Sequence, residues 1–193
     1  LEEVSEIASS INQAEVKAVA KEIIKTRANK GRVFFIGVGG SAGNASHAVC
    51  DFRKLAGIEC YAPCDNVSEL TARTNDEGWD TIFRAWLEIS NLSSKDLIFV
   101  FSVGGGSREK NISPGLVNAI ELASERNTSV VGIVGKEDGY TRKVANASIL
   151  VPTVNKDHIT PHSESFQTVL WHLFVSIPDI KIHETKWESV DGN

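Results

Sequence analysis

Two segments rich in glycine and serine each follow an apolar stretch and carry the groups that bind a phosphate. The first is Val38-Gly-Gly-Ser41-Ala-Gly-Asn44 after RVFFIG, and the second is Ser102-Val-Gly-Gly-Gly-Ser107 after DLIFVF. Glycines let the backbone approach an anion closely, serine hydroxyls donate hydrogen bonds, and the N–H groups at a helix start favour negative charge. Strand-to-helix turns need glycine for steric reasons too, but two such turns with serines favour an anion site. The candidate binding residues in them are Gly40, Ser41, Ser102, Gly104, Gly105 and Ser107.

Two pairs of imidazole and carboxylate groups have helical spacing. His47 and Asp51 are four residues apart, and Glu164 and His172 are eight apart. A helix places each pair on roughly one face, although the second pair is separated by about 12 Å along the axis. A lone helical histidine or carboxylate is usually solvated or part of a structural ion pair, for example with Arg53 or Lys54. Two pairs in an otherwise apolar setting favour a functional site.

Length and charge exclude several classes of protein. The 193 residues fit one domain with a full core. A net charge of −5 with dispersed lysines and arginines argues against nucleic acid as the main partner. No apolar run approaches the roughly 20 residues that span a bilayer, so we expect no membrane partner, and no signal-peptide pattern is visible.

Residue usage adds two expectations. The three cysteines are odd in number, which indicates reduced thiols, so we expect a cytoplasmic protein. The sequence contains no Met, so we also expect further residues before Leu1.

Apolar residues alternate between helical spacing and continuous strand-like runs. Residues 1–28 predict an N-terminal amphipathic helix, either continuous or in two parts, and residues 181–193 a polar C-terminal arm. Strands are predicted at 32–37, 59–63, 96–101, 129–134 and 148–152, and helices at 44–55, 68–90 with an interruption near 75–78, 114–126 and 162–176.

Strands that alternate with helices and are apolar throughout indicate a parallel sheet covered on both faces. We therefore expect an α/β fold, a three-layer α/β/α sandwich with a five-stranded parallel sheet, flavodoxin-like, in one domain of residues 1–193. In such sheets ligands bind at the carboxyl ends of the strands, where both serine turns lie. A dinucleotide-binding fold is the nearest alternative, since Gly37-x-Gly39 opens like its fingerprint. Its acidic residue, however, would be at best Glu59 or Asp65.

With these motifs the chain resembles the sugar isomerase (SIS) domain family, and within it the phosphoheptose isomerases, over nearly its whole length. Their first turn reads G-N-G-G-S, with His six residues after the Ser and Glu four later. This chain has Gly37-Val-Gly-Gly-Ser41, then His47 and Asp51. Their second turn, S-T-S-G-N-S, corresponds to Ser102–Ser107, and their N-D-x-G segment to Asn75-Asp-Glu-Gly78.

The last helix of that family carries Gln and, eight residues on, His, where this chain has Glu164 and His172. The resemblance implies an aldose–ketose isomerase that acts through an enediol on a sugar phosphate such as sedoheptulose 7-phosphate. It implies that the serines of both turns bind the phosphate, that Asp51 is the base and that His172 is the acid. It also implies a homotetramer with active sites between subunits. The implied metal site, most simply for zinc, consists of His47, Asp51, Glu164 and His172.

Several positions depart from the family pattern. Val38 replaces Asn, Gly104 replaces the middle Ser, and the shorter Asp51 replaces Glu. Asn66 stands where the family pattern has an Asp at the end of the second strand, and we assign it to substrate binding. The alternative function is therefore a non-catalytic SIS protein that binds a sugar phosphate and regulates a partner. The segment after the second turn leaves two alternatives: Arg108 or Lys110 supplies charge to the phosphate, or the segment is a solvated loop.

Overall fold

The structure, a computed structural model, describes residues 1–185. It contains five strands, β1 (Val33–Ile36), β2 (Cys60–Tyr61), β3 (Leu97–Ser102), β4 (Ser129–Val134) and β5 (Ala147–Leu150). They form one sheet in the order β2-β1-β3-β4-β5, and each neighbouring pair is parallel. The predicted α/β fold with a five-stranded parallel sheet is confirmed.

Helices connect the strands and cover both faces of the sheet. The described helices are α1 (Glu2–Ser10), α2 (Gln13–Ala28), α3 (Gly40–Leu55), α4 (Val67–Asp76), α5 (Ile82–Ile89), α6 (Pro114–Glu125), α7 (Tyr140–Val144) and α8 (Ile159–Ser176), with 3-10 turns at Pro63–Asp65 and Lys156–His158. Among the described residues, none of these helices combines the length and apolar character needed to cross a membrane.

Side chains alternate along each central strand between two apolar cores. Phe35 of β1 and Phe99 of β3 stack at 5.2 Å in the core beneath α2, α3 and α8. Phe34 and Ile98 of the same strands enter the core beneath α5 and α6. Because both faces are buried, the strands have to be apolar throughout, and this is the pattern that made them visible in the sequence.

The N-terminal segment forms two helices and not one. The side chain of Asn12 caps α2, since its Oδ1 accepts hydrogen bonds from the N–H groups of Ala14 and Glu15 at 2.9 and 3.4 Å. The apolar periodicity continues through this position, but a capping Asn satisfies N–H groups that a continuous helix would bond internally. A prediction of one continuous helix is therefore wrong, and the two-part alternative is correct.

Other boundaries shift by a few residues. Helix α3 begins at Gly40, four residues before the predicted start, and α8 begins at Ile159. The interruption predicted near 75–78 is confirmed, because α4 ends at Asp76 and α5 begins at Ile82.

Of the predicted C-terminal arm, the described part lies against the end of α3, where the N–H groups of Ile182 and His183 donate to the carbonyl of Leu55. Residues 186–193 lie outside the described residues.

The strand order indicates at which edge of the sheet a ligand can bind. The chain passes from β1 to β2 in one direction and from β2 across to β3 in the other, so the winding reverses between β1 and β3. A crevice opens at the carboxyl ends of the strands at such a point. Both serine turns follow these two strands, and the structure therefore brings them side by side.

An ion pair joins the amino-terminal ends of β1 and β3, at the edge of the sheet opposite the serine turns. Arg32 donates to Asp96 from Nη2 at 2.8 Å, and the N–H and Oγ of Ser93 each donate to the same carboxylate at 2.9 Å. Burial by itself would raise the pKa of Asp96, but the hydrogen bonds from Arg32 and Ser93 outweigh it and lower the pKa below its ordinary value. The carboxylate therefore stabilises the folded state in its ionised form.

We predict that Asp96→Asn lowers the free energy of unfolding by about 2–3 kcal/mol at neutral pH, because it breaks a pair whose carboxylate is buried. The folded-state pKa is lowered, so this contribution is complete above the ordinary pKa of about 3.9 and is lost as the pH falls below it. Urea unfolding at several pH values should show the difference between wild type and variant shrinking in that range. The exposed Asp138→Asn serves as control, and an equal loss in both variants would contradict the prediction.

Candidate functional site

The first serine turn connects β1 to α3 and leaves the start of that helix without a side-chain cap. Gly39, the N-cap residue, has a positive φ of 65°, which favours glycine. A Cβ atom on Gly37 would lie 2.6 Å from the carbonyl oxygen of Ser41 and 3.0 Å from that of Phe101, so the turn packs against the end of β3. The first turn of α3 contains no acidic residue, and its N-terminus therefore favours an anion.

The second serine turn is held by hydrogen bonds between hydroxyl groups and backbone groups. The Oγ of Ser102 accepts a hydrogen bond from the N–H of Gly105 at 3.0 Å, and the hydroxyl of Thr141 donates to the carbonyl of Gly105 at 2.8 Å. Ser107 accepts from the N–H of Lys110 at 3.2 Å. Both serines use an oxygen lone pair in these contacts, so each hydroxyl hydrogen remains a donor for a ligand. Beside Gly104 the space is open: a Cβ there would meet no described heavy atom within 4 Å.

The remaining candidates near the turns have structural partners. Asn66 caps α4, accepting from the N–H of Glu69 at 3.2 Å, and lines an open groove of about 650 Å³. The preceding loop contacts the first turn through Cys64, whose Sγ lies 3.8 Å from the carbonyl oxygen of Gly37. The guanidinium of Arg108 pairs with Glu121. Of the two alternatives for Arg108, the described contacts favour the surface loop.

Helices α3 and α8 lie side by side and run in the same direction. At their N-terminal ends, the carboxylate of Glu164 lies against Gly40, where a Cβ would come within 2.4 Å of Glu164 Oε2. One to two turns further on, Thr168 donates to Asn44 at 2.9 Å. Further still, His172 reaches the vicinity of Asp51. The pairing therefore follows the helical rise along both helices.

A buried polar network fixes this arrangement. The amide of Gln167, which is inaccessible to solvent, donates to the Oγ of Ser41 at 3.0 Å and accepts from Asn44 at 2.9 Å. The side chain of Asn44 also donates to the carbonyl of Glu164 at 2.9 Å. These hydrogen bonds orient the hydroxyl of Ser41 at the first serine turn and set the register of α3 against α8.

Asp51 and His172 face each other at the other end of the helix pair. Asp51 Oδ2 lies 3.7 Å from His172 Nε2, and it is buried without a hydrogen-bond partner among the described residues. The side chain of Asp51 is 4% exposed and that of His172 is 40% exposed. A buried carboxylate oxygen without a partner is costly, which is typical of a group that receives a proton, a metal or a substrate.

The imidazole of His172 has a defined orientation. Its Nδ1 lies 2.8 Å from the carbonyl oxygen of Thr168, which only accepts, so the Nδ1 carries hydrogen and the Nε2 faces Asp51. The ring stacks on the buried indole of Trp171, with centroids 3.5 Å apart. The exposed ring of His47 also contacts Trp171, at 4.7 Å, and lies 5.6 Å from the ring of His172.

The donor set at this position fits a divalent metal. His47, Asp51 and His172 each offer one ligand atom, and these atoms all lie within 4.8 Å of one another. Tetrahedral zinc with bonds of about 2.0–2.2 Å separates its ligand atoms by about 3.4 Å, which is close to the 3.7 Å between Asp51 and His172. The hydrogen bond from His172 Nδ1 to a carbonyl is the usual orienting contact of a metal-bound histidine.

Glu164 lies outside this group in the described chain. Eight residues correspond to a rise of about 12 Å on α8, and the carboxylate of Glu164 faces Gly40 at the first serine turn. The structure thus groups three of the four predicted metal ligands, and the participation of Glu164 stays a prediction.

The structural ion pair considered for Asp51 is not formed by Arg53. The Nη1 of Arg53 donates to the carbonyl of Cys60 at 3.1 Å, and its guanidinium lies 5.7 Å from the ring centre of Tyr61. The local sequence did not reveal Asn44, Gln167, Thr168 and Trp171 as parts of the site. Their signal is weak: polar residues at helical spacing on two helices become recognisable only once the helices are known to pack together.

The two halves of the site are far apart within one chain. Asp51 lies ten residues after Ser41 on α3, which corresponds to about 15 Å along the helix. The serine turns and the Asp51–His172 pair therefore do not meet at one small ligand through α3 alone. This separation is the geometric reason to consider a contribution from a second chain.

The sequence matches a known family over most of its length. The pattern of the SIS domain matches residues 1–135. A phosphoheptose isomerase from Rhodospirillum rubrum is 30% identical over 152 residues, which cover 76% of this chain and 75% of that protein. A lincomycin biosynthesis protein from Streptomyces lincolnensis is 34% identical over 152 residues, but the match spans only 54% of that protein and 74% of this chain.

A solved structure shows the same fold. The phosphoheptose isomerase from Neisseria gonorrhoeae superimposes with a TM-score of 0.76 over 90% of each chain, at 20% sequence identity. At this identity the likeness establishes the architecture, and the chemistry has to be argued from the residues of this chain.

We predict that Gln167→Leu lowers the free energy of unfolding by about 2–3 kcal/mol, because it removes the donor to the buried hydroxyl of Ser41 and one of the two acceptors of the Asn44 amide. In a double-mutant cycle with Asn44→Ala the two losses should be coupled by at least about 0.5 kcal/mol. Chemical unfolding measures both quantities. The exposed Gln13→Leu is the matched control, and strictly additive losses would contradict a shared network.

Proposed function

This chain belongs to the SIS domain family, and we propose that it is a phosphosugar isomerase that interconverts an aldose phosphate and a ketose phosphate through an enediol. The proposed substrate is sedoheptulose 7-phosphate or a related ketose phosphate. The observation that carries the proposal is the buried Oδ2 of Asp51, which has no hydrogen-bond partner in the described part of the chain and lies opposite the oriented Nε2 of His172. Relatives named phosphoheptose isomerase support it, one of them over 96% of this chain at 26% identity.

The serine turns hold the phosphate in this proposal. The uncapped N-terminus of α3 supplies N–H groups and the positive end of the helix dipole, and Ser41, Ser102 and Ser107 supply hydroxyl donors. Gly40, Gly104 and Gly105 leave room for the anion, and Asn66 lies at the same edge of the sheet. Because the phosphate does not react, its binding energy serves to position the distant carbonyl.

The isomerisation requires a proton to move between adjacent carbons. We assign Asp51 as the base that takes the proton from the carbon next to the carbonyl, so that the electrons of the C–H bond form the enediol double bond. His172, in its protonated form, gives a proton to the carbonyl oxygen from Nε2. Asp51 then returns the first proton to the former carbonyl carbon, while the hydroxyl on the adjacent carbon gives its proton to Nε2 of His172 and becomes the new carbonyl, so both side chains recover their initial state.

A divalent metal, most simply zinc, fits the same residues. His47, Asp51 and His172 would hold it, and Glu164 would complete the set if a neighbouring chain or a rearrangement brought it close. When bound at Nε2 of His172, such a metal would stand in place of the proton there and would polarise the substrate oxygens and stabilise negative charge on them. The exposed position of His47 leaves the side towards solvent open, as catalytic metal sites require.

We further propose a single SIS domain over residues 1–193, located in the cytoplasm, that assembles as a homotetramer with active sites between subunits. Asp51 lies about 15 Å along α3 from the phosphate turn, and this distance supports active sites that are shared between subunits. Exposed apolar side chains on α8, Val169 at 55% and Leu173 at 44%, flank the face that carries His172 and support a subunit contact there.

We predict that Ser102→Ala combined with Ser107→Ala weakens binding of sedoheptulose 7-phosphate by about 3–6 kcal/mol, since two hydrogen bonds to a charged acceptor are lost and each contributes about 1.5–3. Titration calorimetry measures the affinity, and inorganic phosphate as a second ligand should show a comparable loss. Ser94→Ala, at an exposed serine before β3, is the control. Unchanged affinity in the double variant would remove the second turn from the site.

We predict that Asp51→Asn abolishes turnover and leaves the affinity for the sugar phosphate nearly unchanged, because the group acts in the transition state. The assay uses five- to seven-carbon ketose phosphates, with and without added zinc, and calorimetry measures binding by the same variant. Asp138→Asn, at an exposed turn, should keep full activity. Wild-type turnover in the Asp51→Asn variant would remove Asp51 as the base, whereas no turnover by the wild type on any of these sugars, with measurable binding, would favour a sugar-phosphate-binding regulator.

A further inference from the structure

A second group of metal-ligating side chains lies between α1 and the start of α8, away from Asp51. Glu3 of α1, His158 at the N-cap of α8 and His162 within α8 each offer a ligand atom, and these atoms lie within 4.8 Å of one another. The three side chains come from the two ends of the described chain. Neither the proposed isomerase chemistry nor the family motifs use them.

Both imidazoles contact the same carboxylate oxygen of Glu3. Glu3 Oε2 lies 2.8 Å from His158 Nδ1 and 2.6 Å from His162 Nε2, while Glu3 Oε1 accepts from the amide of Asn155 at 2.8 Å. The Asn155 amide also lies 3.1 Å from His158 Nδ1. An ordinary surface ion pair needs only one partner for the carboxylate, so the convergence of three side chains on it indicates a built arrangement.

The local geometry matches that of zinc ligands. His158 and His162 are four residues apart at the start of α8, the H-x₃-H spacing that puts two imidazoles on one helix face. Two histidines and one glutamate form a known zinc donor set. Ligand atoms on tetrahedral zinc are about 3.4 Å apart, so each ring would move away from Glu3 Oε2 by about 0.6–0.8 Å. The side chains of Glu3 and His158 are 34% and 52% exposed, which allows this movement.

This group is separate from the candidate active site. His162 precedes Glu164 by two residues, which corresponds to about 200° around the helix. Glu164 faces α3 at Gly40, whereas His162 faces α1 at Glu3. The amide of Asn155, which holds the other oxygen of Glu3, supplies the orienting contact that metal-bound carboxylates usually have.

We propose that Glu3, His158 and His162 form a second divalent-metal site, of zinc type, that fastens α1 to the start of α8. Helix α1 buries only one side chain among the described residues, Ile7, and Glu3 connects it to Asn155 and His162. Three metal–ligand bonds would replace hydrogen bonds at the half-exposed surface by a cross-link between distant parts of the chain. Solvent supplies the fourth ligand.

The test is metal stoichiometry in the full chain, stripped with a chelator and titrated with Co²⁺, with zinc content determined by mass spectrometry. We expect Glu3→Gln and His162→Asn each to bind one metal equivalent fewer than wild type. Asn155→Ala should bind the same number with an affinity lower by about 10- to 100-fold. The matched controls are Glu2→Gln in the same turn of α1 and His183→Asn, the one histidine in neither group, and both should bind as wild type does.

A second measurement reports on α1 directly. Hydrogen exchange of the α1 amides should slow when zinc is added to wild type and to His47→Asn, but not when it is added to Glu3→Gln. Circular dichroism of each variant before titration verifies that it is folded. Equal stoichiometry in wild type, Glu3→Gln and His162→Asn would overturn the proposal, and so would unchanged exchange in wild type.

The outcome is independent of the proposed function. If both sites bind metal, wild type takes two equivalents, and His47→Asn and His162→Asn take one each. If wild type takes one equivalent that Glu3→Gln loses and His47→Asn keeps, the second site is supported while the metal at His47 is not. The reverse pattern, in which only His47→Asn loses the equivalent, overturns the inference and leaves the active-site metal intact.

Discussion

The register between α3 and α8 is the constraint on which the site depends. Apolar packing has no preferred direction and would tolerate a slide of one helix along the other, whereas the amide hydrogen bonds between Asn44 and Gln167 have a preferred geometry. A slide by one helical turn, about 5.4 Å, would separate Asp51 from His172 and Ser41 from Gln167 together. One buried pair of amides thus aligns groups at both ends of the helix pair.

The carboxylate of Asp51 works against stability in the same interface. Its Oδ2 is buried and lacks a hydrogen-bond partner among the described residues. A carboxylate left in this state costs free energy that apolar packing around Phe52 and Trp171 has to offset. A structural role would have placed a donor opposite Oδ2, so the arrangement favours a chemical role for this residue.

The fold was predictable because its strands and turns are encoded in short contiguous segments. Most contacts within the site join residues that are distant in sequence, so they were not predictable. Each central strand is buried on both faces and therefore reads as an apolar run, and each serine turn is contiguous in sequence. The cap at Asn12 competes with an apolar periodicity that continues through it, so the break between α1 and α2 remained open. The distance between Glu164 and His172 could be predicted from the rise of a helix. Which part of α3 each of them contacts could not, because it depends on how the two helices pack. The contact of Glu3 with His162 spans 159 positions and is invisible in any local pattern.

The proposed active site and the proposed assembly are linked by distance. A substrate held by its phosphate at the start of α3 has to place its reacting carbons within about 3–3.5 Å of a base, but Asp51 of the same chain is about 15 Å along the helix. Glu164 shows the same mismatch from the other side, because it lies at the phosphate end of α8, about two turns from His172. A neighbouring chain packed on the exposed Leu173 and Val169 would lie directly beside His172. If its serine turns met the Asp51–His172 pair there, each active site would need two chains, and the monomer would bind phosphate without catalysing isomerisation.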